Sequence, residues 1–412
     1  MTNSRRRQIG ERNLRRNFGA YGLVFLMIVF GSQLHAQTFT VLHSFGGNGD
    51  GYEPLAGVAI DAAGNLYGTT AFGGNEFGIV YKLSPRNSSW IYSRLFDFTE
   101  SGGDVPIAKV AIAHDGSLYG SATQGGTGSG ASGTVFRLRP SPTFCASVQC
   151  PWEATVVHTF SYSYDGGFPG PITFDSAGNI YGTTSAGGVA GIGTVYKLTS
   201  SQGSWTFSVL TGFAGTGAGS PYGGVILDQN GNAYGEGYGD YPGTVFEVTS
   251  SGDVQILHQF DYNDGIDPFY GMVFDTHGNL YGQTAFGGME GEGGTMFELS
   301  PSGSGWTFNL LYSFAGVINN GTIGAAGVTM DAQGNVYGTT FGNGAHNYGT
   351  VYKLTPSDNG WIYTDLYDFT GGDDGCYPWS DVVMDSRGNL YGTASECGQG
   401  GLEGGTVWEI TP

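Results

Sequence analysis

A pattern close to Asp-x-x-Gly-Asn-Leu-Tyr-Gly-Thr-Thr recurs seven times in this 412-residue chain. Each copy is followed by a Gly-Gly loop and a Gly-Thr-Val-Tyr-Lys-Leu segment. The glycine before the Asn-Leu-Tyr core falls at Gly64, Gly116, Gly178, Gly231, Gly278, Gly334 and Gly388, at intervals of 52, 62, 53, 47, 56 and 54 residues. Sustained self-similarity at a fixed period means that one supersecondary unit is repeated and buries its apolar surface against its neighbours. This constraint outranks length, which would otherwise suggest two or three domains.

Within one period the apolar and β-branched residues fall into four short runs. In the first repeat they are residues 56–60, 66–70, 79–83 and 90–98. Valine, isoleucine, tyrosine, phenylalanine, tryptophan and threonine fill them, as a pleated, half-buried surface requires. A Gly-Asn pair separates the first two runs and suits a tight hairpin with positive φ. Glycine is 76 of 412 residues and charged residues are 12%. That excludes a helical bundle, which needs Ala, Glu, Lys and Leu. Aromatic residues are 14% and hydrophobic residues 39%, enough to bury a large core and to exclude disorder.

Four strands per period predict the blades of an all-β, seven-bladed β-propeller. The ends of the chain support closure. The last repeat stops after its third run, residues 406–410, at Pro412. The missing fourth strand stands at the other end, residues 39–45, and matches residues 157–160 and 257–260 in pattern. The N-terminal strand is therefore expected to complete the last blade and close the ring. An open solenoid would instead need capping repeats. The seven Gly-Asn-Leu-Tyr-Gly-Thr-Thr and Gly-Thr-Val-Tyr-Lys-Leu copies resemble the Gloeo–Verruco tandem repeat of exported bacterial proteins, over about residues 38–412. That resemblance implies export and often a C-terminal surface anchor, and it brings no settled activity. No C-terminal hydrophobic tail matches such an anchor.

Residues 1–36 read as a signal peptide. Six arginines precede an apolar run over residues 20–30, and a small-residue site ends at Ala36. The run is shorter than a membrane-spanning helix wants. No second hydrophobic stretch follows, so no membrane insertion is expected after cleavage, and the domain is residues 37–412. Cleavage leaves 9 basic and 34 acidic residues, a net charge of −25. A nucleic-acid partner held through its phosphates is excluded on that ground. The destination is secreted, periplasmic or cell-surface, and the protein is expected to be a monomer.

The cysteines are even in number, which in an exported chain points to disulfides. Cys145 with Cys150 and Cys376 with Cys397 are the expected pairs. Zinc is the competing reading, without paired C-x-x-C spacing to support it. No cofactor is called for. The best calcium candidate is Asp261, Asn263, Asp264 and Asp267, a turning loop rich in oxygens that lacks the bidentate glutamate of a helical-hand site. The seven repeat tyrosines, and Trp90, Trp152, Trp205, Trp306 and Trp361, are expected to pack between blades. His43, His158 and His258 share one strand position on different blades, so they cannot converge on a metal.

Strand alternation places the loops between blades and the second-to-third-strand loops on one face, here the top face. Asp50, Asp104, Asp165, Asp264, Asp267, Asp373 and Asp374 lie in the inter-blade loops. They read as Asp-Gly turn chemistry or as a carboxylate ring that attracts cations. Residues after the loop proline vary, and Tyr222, Phe269, Tyr270 and Trp379 offer flat faces for a sugar or peptide. The fourth repeat breaks pattern at 234–241, where Glu236 with Asp240 is the candidate acid–base pair. No nucleophile elbow, zinc-protease pair or phosphate loop is present. The chain therefore reads as a non-catalytic exported scaffold that binds a glycan or an extracellular protein through its top-face loops. The alternatives are a secreted carbohydrate-active hydrolase or lyase, and a passive envelope component.

Overall fold

In the computed structural model the described residues are 37–412, except 48, 129, 141–151, 240, 270, 290–292, 304 and 316–325. They form seven four-stranded antiparallel sheets. In the first blade β2 (Ala59–Ile60), β3 (Leu66–Thr70), β4 (Ile79–Arg86) and β5 (Ser89–Asp97) pair in chain order. Among the described residues, helix is confined to a 3-10 turn over Gly398–Glu403. No helix of these residues is long and apolar enough to cross a membrane.

Closure follows the expectation. β1 (Thr38–Ser44) pairs with Thr406–Thr411 from Thr38 opposite Thr411 to Ser44 opposite Thr406. The seventh sheet thus runs β1, Thr406–Thr411, Leu390–Ala394, Val383–Met384. The register shifts between Val41 and His43, as it does between Val80 and Tyr81 in blade 1 and between Val351 and Tyr352 in blade 6. A bulge at this place in the outer pair adds right-handed twist.

The hairpin between the first two strands differs from a two-residue Gly-Asn turn. It spans Asp61 to Asn65, with Gly64 at φ 80°. Asp61 Oδ1 accepts from the Ala63 and Asn65 N–H groups at 2.9 Å, and Oδ2 accepts from Asn65 Nδ2 at 2.7 Å and the Tyr67 hydroxyl at 3.1 Å. Burial alone would push the Asp61 carboxyl up, yet these bonds leave it below its usual range. The same cap recurs at Asp175, Asp228, Asp275, Asp331 and Asp385. This explains the repeated Asp-x-x-Gly-Asn: the aspartate satisfies the turn that the glycine makes possible.

No blade closes its own core. Phe45, Val407 and Tyr391 of blade 7 pack with Val58, Leu66, Ile79, Tyr81 and Leu83 of blade 1. Each repeat tyrosine meets the tryptophan of the next blade where there is one. The pairs are Tyr67–Trp152, Tyr119–Trp205, Tyr234–Trp306, Tyr281–Trp361 and Tyr391–Trp90, at 5.8–6.3 Å between ring centroids. The glycine that opens each third strand has a complementary cause. A Cβ on Gly133 or Gly405 would overlap the ring of Pro169 or Pro54 from the following blade. That is why Gly-Thr-Val and the loop proline recur together.

A belt of polar side chains ties the second strands to the next blade. Ser121 donates to the Gly170 carbonyl at 2.7 Å, Thr183 to Gly223 at 3.0 Å and Thr393 to Ala56 at 3.0 Å. Gln283 donates to the Ala326 carbonyl, and Thr339 to those of Pro378 and Ser380. The first strands face the ring axis. Lys109 of blade 2 and Asp381 of blade 7 form an ion pair across the intervening blade, a contact that only residues near the axis can make.

Candidate functional site

The top face is built from loops held by backbone bonds. Tyr52 pairs with Phe72, Asp104 with Gln124 and Cys376 with Glu396, each joining an inter-blade loop to the loop after the second strand. The Cys376–Cys397 disulfide adds a covalent link of this type in blade 7, with Cα atoms 5.4 Å apart. Cys145 and Cys150 lie outside the described residues.

The inter-blade carboxylates turn inward on their own loops. Asp165 accepts from the Ser161 N–H at 2.8 Å and lies 2.9 Å from His158 Nε2. Asp264 accepts from the Asp261 N–H at 2.6 Å and lies 2.9 Å from His258 Nε2. Asp50 sits 3.3 Å from His43 Nε2. In blade 6 the Tyr367 hydroxyl takes the histidine's part and donates to Asp374 at 2.9 Å. The three histidines stack on Tyr92, Phe207 and Phe308 of the following blades, with ring centroids 3.9–4.3 Å apart. Burial lowers the pKa of His43 and of His158, against the pull of the facing aspartate.

Of the calcium candidates, Asp261 Oδ1 accepts from the N–H groups of Asn263 and Asp264, so its oxygen is already used by the turn. Asp267 stands apart, buried, at φ 58°. No three His, Cys, Asp or Glu side chains among the described residues are grouped to hold a metal ion.

Glu236 is 1% exposed and occupies the belt position filled by Thr183 or Gln283 in other blades. It reverses the belt's polarity, because its Oε2 accepts from the Gly271 N–H at 2.9 Å. Asp240 lies outside the described residues. The side chain of Glu236 thus faces the next blade and not the top-face solvent.

The aromatic candidates separate into two groups. Tyr222 and Phe269 meet edge to face at 5.6 Å. Phe269 also stacks on Tyr238 at 5.6 Å, with planes 14° apart. Tyr238 continues to Tyr241 at 6.0 Å, and Tyr241 to Tyr262 at 6.0 Å. Five rings from two blades form one row. Tyr222, Tyr241 and Tyr262 are 57%, 54% and 63% exposed. The Tyr238 hydroxyl donates to Asp267, whose carboxyl is pushed up by burial more than that bond lowers it. Tyr270 lies outside the described residues. Trp379 belongs to the second group, where it meets Phe341 edge to face at 4.6 Å while Phe341 stacks on Tyr377 at 4.7 Å. Sequence reasoning missed Tyr238, Tyr241 and Tyr262. For Tyr238 and Tyr241 the signal was the break of pattern in the fourth repeat, where Tyr234, Tyr238 and Tyr241 fall within eight residues.

Comparison with solved structures finds matches at low identity. The extracellular domain of a one-component system from B. thetaiotaomicron matches with a TM-score of 0.51 at 13% identity, over 90% of this chain and 41% of that one. A gluconolactonase from Xanthomonas campestris matches at 0.41 and 13%, over 72% and 82%. A 6-phosphogluconolactonase from Bacteroides uniformis matches at 0.49 and 11%, over 76% and 83%. The first of these speaks to fold alone. No curated protein matches the chain. The Gloeobacter/Verrucomicrobia repeat matches residues 18–151, 149–330 and 293–412, and with seven copies of its motif forming seven blades the chain belongs to that repeat family.

Proposed function

We propose that the protein is an exported, non-catalytic scaffold that holds a glycan on its top face. The observation that carries this reading is the row Tyr222, Phe269, Tyr238, Tyr241 and Tyr262. Exposed tyrosines supply broad, rigid contact area at low conformational cost. Their hydroxyls hydrogen-bond, and their faces suit the C–H faces of pyranose rings. Three such rings presented together to water mark an interaction site. Export is supported by the arginine-rich, apolar leader and by the Cys376–Cys397 disulfide. A glycosidase needs two carboxylates flanking a bond in a cleft, and the burial of Glu236 removes one of the two candidates from such a role.

The test is depletion of the purified protein by a panel of insoluble polysaccharides, with the supernatant assayed for released sugar. Retention without release is expected, and Tyr222→Ala should weaken it. Release of sugar overturns the non-catalytic reading. Failure to bind any glycan overturns the glycan reading and leaves a protein partner or a passive envelope role.

A further inference from the structure

The aromatic row lies in a long stretch of the chain without lysine or arginine. Between Lys197 and Lys353 the chain contains no lysine or arginine, over residues 198–352, while the same segment carries 13 aspartates and glutamates. That segment supplies the whole of blades 4 and 5. The two flanking lysines are already engaged, with Lys197 held 4.8 Å from the Tyr181 ring and Lys353 5.5 Å from the Tyr337 ring. No lysine or arginine in this segment offsets the acidic residues around the row, and of the two carboxylates at its outer end Asp264 faces His258 while Asp261 faces backbone N–H groups.

The row also has a direction. Tyr262 follows the outer strand Val254–Gln259, and Tyr222 precedes the inner strand Ile226–Leu227. The rings therefore lead from the outer rim toward the axis at spacings of 5.6–6.0 Å. Such a track suits several consecutive units of an oligomer better than one isolated sugar. Asp261, exposed beside Tyr262, and Asp264, half-buried in the same loop, flank its outer end.

We propose that this row is a track for a cationic glycan, an oligomer or polymer of hexosamine units with free amino groups. The inference rests on the glycan reading above and names its ligand class. Sugar faces stack on the rings. Protonated amines gain from the net negative field of the flanking carboxylates and from the faces of the exposed tyrosines. An anionic polysaccharide meets the same field with the opposite sign. Acetylation of the amines keeps the stacking and removes the charge.

Equilibrium binding of the full-length protein separates these terms. The probes are soluble chitosan, its N-acetylated counterpart, a neutral β-glucan, polygalacturonate and polylysine, each at low and high salt. Chitosan is expected to bind most tightly, by roughly tenfold over the N-acetylated form, and to weaken with salt. Tyr241→Ala with Tyr262→Ala should lower its affinity roughly tenfold. Asp261→Asn keeps an oxygen to accept from the Asn263 and Asp264 N–H groups and should reduce the salt dependence. Equal, salt-independent binding of β-glucan and chitosan overturns the cationic assignment while the glycan reading stands. Absence of binding to every glycan removes both. Polylysine binding as tight as chitosan, and unaffected by the tyrosine substitutions, overturns the proposal in favour of plain charge attraction.

Discussion

The ammonium of Lys109, in blade 2, rests on the carboxylate of Asp381, in blade 7, and the blade between them contributes Gly57 at the equivalent position. Two blades that are not neighbours are thereby clasped across the first, next to the seam where the two ends of the chain meet. A Cβ on Gly57 would overlap Asp381 Oδ1 and lie 3.0 Å from the Asp381 carbonyl oxygen.

Gly57→Ala should therefore destabilise the ring by about 1–3 kcal/mol, the usual range for overpacking. Lys109→Ala should cost less than about 1 kcal/mol, because the pair is about a third exposed and solvent screens it. Urea denaturation of the two variants checks the order. A larger loss from Lys109→Ala would mean that the charge, and not the space above Gly57, governs this clasp.

Removing the disulfide acts on the unfolded chain. Cys376 and Cys397 are separated by 21 residues, and closing a loop of that length contributes about 3 kcal/mol on the chain-entropy account. Cys376→Ser with Cys397→Ser should lower stability by that order and leave the seven-bladed β signature in circular dichroism. Its loss on reduction would mean that closure by β1 cannot hold without the covalent link.

The turn aspartates should behave as caps. Asp331 accepts from Asn335 and Gln333 and from the Tyr337 hydroxyl at 3.0 Å. Asp331→Ala leaves those donors without their acceptor and should cost about 1–3 kcal/mol. Asp115 provides an internal contrast. It stands two positions later in the blade 2 turn, binds Ser117 and Arg137, and does not form the full cap. Its removal should cost less, as thermal melts of the two variants would show.

Stability should fall in acid in two stages. The folded pKa values of His43 and His158 lie below the ordinary 6.5 because burial disfavours their charged form. The unfolded chain then binds more protons, so the full contribution is present above 6.5 and is lost as pH falls through that value toward the folded pKa. The carboxyls of Asp61, Asp275 and Asp331 are also lowered, so their contribution is present above 3.8 and is lost as pH drops below it. The thermal midpoint followed from about pH 8 to about pH 3 tests both stages. His158→Phe should flatten the first, since Phe96 fills the equivalent place in blade 1. An unchanged slope would assign the loss to other groups.

Much of the architecture was legible because each determinant is local and repeated. Strand alternation and the glycine-permitted turn recur every 47 to 62 residues. The missing fourth strand at one end and its match at the other announced the seam. The Cys376–Cys397 pairing followed from the same strand count, because both residues fall in top-face loops of one blade. Tyr222 and Phe269 were legible as variable aromatics after a proline. Their meeting was not, since the packing of one blade on the next brings residues 47 positions apart to 5.6 Å.

Other placements depended on which way a side chain turns once the blades are packed. Glu236 looked like an acid in a shortened loop. Its strand faces the next blade, where it accepts from the Gly271 N–H. Trp379 shares a repeat position with Tyr222 and Phe269 but stands two blades from Phe269 and three from Tyr222, against Phe341. The sequence by itself determined the number of blades, their strand order and where the ring closes, because a period-two pattern and its turns are short-range properties repeated in register. Only the tertiary structure decided which rings line up as one row, which carboxylates cap turns and that Lys109 reaches Asp381. Those depend on the rotation between blades, a long-range quantity that no single repeat encodes.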